Sequence, residues 1–229
     1  MVGYSNKEGT KGHRERLRKK FVKTGIDAFL PYEIIELLLT FTISRKDVKP
    51  IAKALIGKFG GIRGVFDADL NELVTTDGIG EYTAVFIKFV KESAGAYLKE
   101  QIKGKDILSS AKDVLNYCNY ALAGEKKEKF QVIYLNSRNE IIDAEILYEG
   151  TVDQSAIYPR ELVKNALKYN ATALIFVHNH PSGDPTPSDA DRKLTENLKK
   201  AVTSINISVH DHIIIGKKGY SSARESGWL

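Results

Sequence analysis

The chain has 229 residues, with 34 Lys+Arg against 29 Asp+Glu, five His, one Cys and 42% hydrophobic residues; that suits one large or two small domains with a real core. No apolar run approaches the roughly 18 residues of a membrane span, and Met1 to Lys20 is polar and basic without the apolar stretch of a secretory signal, so a soluble, cytoplasmic protein with no membrane partner is expected. The single cysteine, Cys118, excludes an internal disulfide, a multi-cysteine zinc site and the P-C-x-x-C zinc site of nucleotide deaminases.

The positive charge sits at the start. Residues 1–23 carry eight basic side chains (Lys7, Lys11, Arg14, Arg16, Arg18, Lys19, Lys20, Lys23) against two acidic ones, residues 24–105 carry eleven of each sign, and residues 106–229 are close to neutral. Such an arm can neutralise phosphates and lend salt-dependent affinity for DNA. It can equally be a solvated basic helix over 12–23, with Leu17 and Phe21 packing on the next element.

Residues 24–103 read as a helical domain. Pro31 opens an apolar helix over 32–39. A second helix, 50–59, has Ile51, Ala54, Leu55 and Phe59 at helical spacing and stops at Gly60-Gly61. A short helix is expected over 69–74, then a tight turn at Asp77-Gly78-Ile79-Gly80. A longer helix over 82–100 follows, with Val85, Ile87, Phe89 and Val90 on its apolar side. Lys103-Gly104-Lys105 is the expected domain boundary.

Residues 106–229 change character. After a helix over 110–122, the runs 130–135 and 141–147 flank the turn Asn136-Ser137-Arg138-Asn139 as a β-hairpin. A helix over 159–168 has Leu162, Val163, Ala166 and Leu167 on one face. The continuous apolar run 173–177 reads as a buried strand, 188–202 as an amphipathic helix, and 207–215 and 219–223 as final strands. Strands interleaved with helices predict an α/β (α+β) domain.

The chemistry concentrates behind the buried strand. Four of the five histidines lie between 178 and 212. If the strand continues through His178-Asn179-His180, residues two apart share a side and both imidazoles converge. A loop with three prolines and a glycine follows, and Ser188 and Asp191 open the next helix. The pattern is H-x-H-x7-S-x-x-D. Two imidazoles and a carboxylate suit Zn²⁺, and three protein ligands leave a fourth position for water, whose pKa the metal lowers toward about 7. Ser188-x-x-Asp191 also has the form of an ordinary helix start, with Ser188 as N-cap and Asp191 in the first turn.

The pattern H-x-H-x7-S-x-x-D resembles the JAMM (MPN+) metalloprotease signature, and the fuller string HNHPSGDPTPSDAD resembles the RadC family. GHRERLRKKF, YEIIELLL, DVKPIAKAL, DGIG, YPRELVKNAL and HDHIIIG resemble the corresponding family segments in order, over nearly the whole chain. The resemblance implies a JAMM-type sheet flanked by helices, with an N-terminal helix-hairpin-helix-like domain. It implies His178, His180 and Asp191 as zinc ligands and Ser188 as donor to a developing oxyanion. It also implies a glutamate general base just before the first core strand, at Glu128, with Glu145 as competitor. Asp211-His212 suits a supporting role behind the ligands, and Arg160 a substrate contact or a surface ion pair.

In the same light Asp77-Gly78-Ile79-Gly80 resembles a helix-hairpin-helix turn that meets a phosphate with backbone amides, although Glu81 stands where a basic residue would help. Three functions follow. The first is a zinc hydrolase of the metallopeptidase or isopeptidase type. The second is a DNA-binding repair or recombination accessory protein acting through arm and hairpin. The third, a scaffold with a structural metal, is disfavoured by the open coordination position.

Overall fold

The computed structural model describes residues 7–150 and 157–229, so the first six residues of the basic arm lie outside the described residues. No helix among the described residues is long and apolar enough to cross a membrane. The chain forms two compact units that divide at Ala94/Gly95, upstream of the Lys103-Gly104-Lys105 turn.

The first unit is helical: α1 (Lys7–Thr24), α2 (Pro31–Leu39), α3 (Lys49–Phe59), α4 (Ile62–Asp67), α5 (Leu70–Leu73) and the first part of α6 (Glu81–Ile102). The basic α1 buries Leu17, and carboxylates of α2 answer two of its polar side chains. Lys20 Nζ donates to Glu33 Oε2 at 2.7 Å, His13 Nε2 lies 2.7 Å from Glu36 Oε1, and Arg14 Nη2 donates to the Lys46 carbonyl at 2.6 Å. Arg16, Arg18, Lys19 and Lys23 remain exposed.

Pro31 sits in the first turn of α2, and Gly60, at φ 75°, ends α3 in the left-handed conformation that glycine adopts without strain. The six-residue α4 had no sequence signal. Its Gly64 is needed because a Cβ there would lie 1.8 Å from the Phe59 carbonyl oxygen.

α6 buries a different face from the expected one. Thr83, Ala84, Ile87 and Lys91 point inward, while Val85 and Phe89 are exposed. With about 3.6 residues per turn, Val85 and Ile87 cannot share a side. Lys91 is tolerated inside because Asp67 Oδ1 pairs with it at 3.0 Å.

The second unit contains the end of α6, then α7 (Ala111–Leu122), β1 (Glu128–Leu135), β2 (Ile141–Gly150), α8 (Pro159–Lys168), β3 (Ala173–Asn179), α9 (Asp189–Thr203), β4 (Ser208–Gly216) and β5 (Gly219–Ser222). This is the mixed α/β architecture expected. The sheet order is β2-β1-β3-β4-β5. All pairs are antiparallel except β3–β4, which the α9 crossover joins in parallel.

Alternation along the central strands sorts the core into two layers. Ile133, Leu135, Ile175 and Val177 pack against Val114, Cys118 and Leu122 of α7. Phe130, Val132, Leu174 and Phe176 pack against Leu162 and Ala166 of α8 and Leu194 and Leu198 of α9. Leu167, expected on the apolar face of α8, is mostly exposed, because that helix buries only Leu162 and Ala166 fully.

Candidate metal centre

The site grows from the end of β3. His178 follows Phe176 on the α8/α9 side of the sheet, pairs in register with Phe130 of β1, and is almost wholly buried. His180 lies one residue past the strand, its backbone N–H donating to the Ile215 carbonyl at 2.9 Å. The following loop is stapled to the β4–β5 turn. Lys218 N donates to Gly183 O at 3.2 Å, and Ser221 Oγ to Pro185 O at 2.7 Å. Gly216 leaves room for this approach, since a Cβ there would lie 2.5 Å from Gly183 O.

The loop delivers the chain to the start of α9. Ser188 is the N-cap, its Oγ accepting from Asp191 N at 3.1 Å, while the Asp191 carboxylate accepts from Ser188 N at 2.7 Å and from Ser188 Oγ at 2.6 Å through Oδ2. This capping box is the helix-start reading of the same motif. It also aims the carboxylate, because Oδ1 lies 3.2 Å from His178 Nε2 and Oδ2 lies 3.4 Å from His180 Nε2.

Those groups form a donor set. The Nε2 atoms of His178 and His180 are 2.9 Å apart, and one ligand atom from each of His178, His180 and Asp191 falls within 4.8 Å of the others. His180 Nδ1 lies 2.8 Å from the Asp184 carbonyl oxygen. A carbonyl can only accept, so Nδ1 carries a proton and Nε2 is left to offer its lone pair. Electron-pair donors this close repel one another unless a cation or a shared proton sits among them.

The charges around the cluster also shift its titrating groups. Hydrogen bonding to Asp191 pushes the His180 imidazole above its ordinary range, with Asp184 and the charge of Glu128 adding to the effect against burial. Burial alone would raise the Asp191 carboxyl, but the two imidazoles and Ser188 hold it far below the usual carboxylate range. Behind His178, burial pushes His212 well below the usual imidazole range.

Residues 108–228 match the family described as the RadC-like JAB domain. The chain belongs to this family. It therefore has the JAMM-type hydrolase fold, with a His-His-Asp cluster positioned for a metal ion.

In this RadC-like domain the two glutamates weighed as general base stand in different surroundings. Glu128 opens β1. Extending the Phe130–His178 pairing by one step of alternation sets it opposite His180, on the same face as His178. Glu145 lies on β2 opposite Val132 and is engaged at the end of α8, where Tyr169 Oη donates to it and Lys168 Nζ lies at 3.3 Å.

Asn179, between the two histidines, has a place of its own. Its side chain points to the α7 side and is buried, accepting from Lys129 N at 2.8 Å and donating to Lys127 O at 3.0 Å and Glu125 O at 3.4 Å. It thus ties β3 to the backbone on both sides of Glu128. An asparagine between two histidines at a strand end was its one sequence signal.

Asp211 has a structural place, accepting from Ser222 Oγ at 2.6 Å and from Arg224 N at 3.0 Å. Arg160 is exposed, over the Tyr158 ring at 5.0 Å and 3.7 Å from Glu161. A groove of about 850 Å³ in the same unit is lined by Leu115, Ile175, Val209 and Ile213 and by none of His178, His180 and Asp191.

Proposed function

We propose that the chain is a zinc-dependent hydrolase of the metallopeptidase or isopeptidase type, with His178, His180 and Asp191 holding the metal. The observation that carries this reading is the convergence of two imidazole Nε2 atoms and one carboxylate within 4.8 Å, at a point where His180 keeps some solvent access. Two nitrogens and one oxygen are a donor set that suits zinc, and three protein ligands leave a position open. Zinc, when bound, supplies a Lewis acid that polarises a carbonyl and lowers the pKa of water toward about 7.

The chain's own residues do the rest. Glu128, beside His180, takes the proton of the attacking water and returns it to the leaving amine. Ser188 holds Asp191 through the capping box. Its single hydroxyl proton goes to Asp191 Oδ2 in this structure, so donation to an oxyanion requires the hydroxyl to turn away.

The test is hydrolysis of peptide and isopeptide substrates by wild type and Glu128→Gln, with zinc per chain measured on both. Activity lost by on the order of 10²-fold or more with zinc retained supports the reading; equal activity assigns the base elsewhere. A wild type that takes up no zinc sinks it.

DNA association is the second reading. It rests on the exposed side of α1, where Arg16, Arg18, Lys19 and Lys23 lie. Salt-dependent DNA binding that falls when Arg16 and Arg18 are neutralised supports it; binding unchanged by those substitutions removes it.

A further inference from the structure

The proton of His180 is fixed by a carbonyl, but His178 has no such partner. Its Nδ1 faces another imidazole, His212 Nε2, at 2.8 Å, and two ring nitrogens can exchange donor and acceptor roles. What decides between them lies one residue further on. His212 Nδ1 is 2.5 Å from Thr195 Oγ1, and Thr195 Oγ1 is 2.6 Å from the backbone carbonyl of Asp191. That carbonyl can only accept, so the one hydroxyl proton of Thr195 goes to it. The hydroxyl oxygen must then accept from His212 Nδ1–H.

His212 is fully buried, with the Phe130, Phe176 and Trp228 rings at 5.6, 5.8 and 6.0 Å, surroundings that favour the neutral ring. A neutral ring protonated at Nδ1 presents a lone pair at Nε2, which takes the proton of His178 Nδ1.

We propose that Thr195 and His212 are positioning residues for the metal centre: the relay from the Asp191 carbonyl through Thr195 and His212 locks the His178 proton on Nδ1 and leaves Nε2 bare for a metal ion. Both ends of the relay are ligand residues, so α9 supplies a carboxylate and, through the same residue's carbonyl, sets the tautomer of an imidazole on β3. Ring-to-ring support of this kind orients a ligand and sharpens its basicity. The inference rests on the metal-site reading above, but its first measurement does not need a metal.

The experiment is long-range ¹⁵N–¹H imidazole spectroscopy of the metal-free full chain, followed by zinc titration against a competing chelator. His178 carrying a proton on Nδ1 in the wild type is the expected result; a bare Nδ1 with the proton on Nε2 alone overturns the proposal without any variant. Thr195→Val removes the acceptor while keeping the shape. It should mix the His178 tautomers and weaken zinc affinity about 10–100-fold, whereas Thr195→Ser should restore both. An unchanged tautomer and affinity in Thr195→Val would overturn the relay. Should the wild type show the Nδ1 tautomer yet take up no zinc, the relay stands and the hydrolase reading falls.

Discussion

The two faces of the sheet use the same strands for opposite ends. On the α7 side, Ile175 and Val177 of β3 meet Val114, Cys118 and Leu122 in a dry layer, where burial pushes the Cys118 thiol up to about 12 and leaves it inert. On the α8/α9 side the intervening residues Leu174 and Phe176 start an equally apolar layer. It then turns polar within one step, at His178, with Asp191, Thr195 and His212 buried around it. Buried polar groups cost stability unless each finds a partner, and these four do. One face is therefore mostly apolar and the other also carries the clustered imidazoles and carboxylate, with Asn179 and the Gln131–Tyr117 pair as polar exceptions on the α7 side.

The largest effect expected from breaking this contrast is at His180. His180→Ala should reduce bound zinc from about one per chain to none by elemental analysis, with little change in thermal unfolding when both chains are metal-free, because the side chain lies beyond the strand at the rim of the core. Retained zinc would mean that the metal sits elsewhere.

A paired core truncation sharpens the comparison. Leu122→Ala on α7 and Leu198→Ala on α9 each remove a fully buried side chain, and each should cost about 2–5 kcal/mol in denaturant unfolding. Only Leu198→Ala should also weaken zinc binding, about tenfold or more, since the cavity lies one turn beyond Thr195 on the helix that holds Asp191. Equal affinities in the two variants would show the metal site to be indifferent to the packing of its helix.

Asn179→Ala tests one of these exceptions. Leaving Lys129 N and Lys127 O without their side-chain partner should cost about 1–3 kcal/mol. It should also lower hydrolysis while zinc uptake stays intact, because it frees the backbone around Glu128 and not the ligands. A loss of zinc instead would place Asn179 with the ligands.

The smallest effect belongs to Asp143 on β2. Burial would raise its carboxyl, but Lys99 and Lys103 hold it below the ordinary value; Lys99 Nζ lies at 2.7 Å. A depressed folded pKa contributes stability that is present above the unfolded value of about 3.9 and lost as pH falls through the folded one. Asp143→Asn should flatten that acid limb of an unfolding-versus-pH curve by no more than about 1 kcal/mol, with no change in zinc binding. A larger effect would show the pair to be more deeply buried in solution.

Much of this was legible in the chain itself. Pro31, Gly60 and Pro159 mark helix ends by fixed backbone chemistry, and 173–177 reads as a buried strand from its unbroken apolar run. The two-residue spacing of His178 and His180 places both rings on one side of a strand. Elsewhere local pattern failed for identifiable reasons. On α6 the expected apolar side mixed residues that a helix places on opposite faces, and Asp67 allowed a lysine into the interior instead. Ser188-x-x-Asp191 gave two readings, helix start and ligand; the capping box is the first, and the same carboxylate that serves the cap with Oδ2 faces the imidazoles with both oxygens.

By itself, then, the order of residues determined the element types, the family and the donor set, because periodicity, turn chemistry and ligand spacing are properties of short stretches. Only the tertiary structure decided that Glu128 falls on the His178 face of β1 while Glu145 is taken up by Tyr169 and Lys168, that Asn179 ties β3 to β1, and that Thr195 and His212 stand behind His178. Each of these joins residues at least 17 positions apart. Their meeting depends on strand register and on the α9 crossover, which no local pattern encodes.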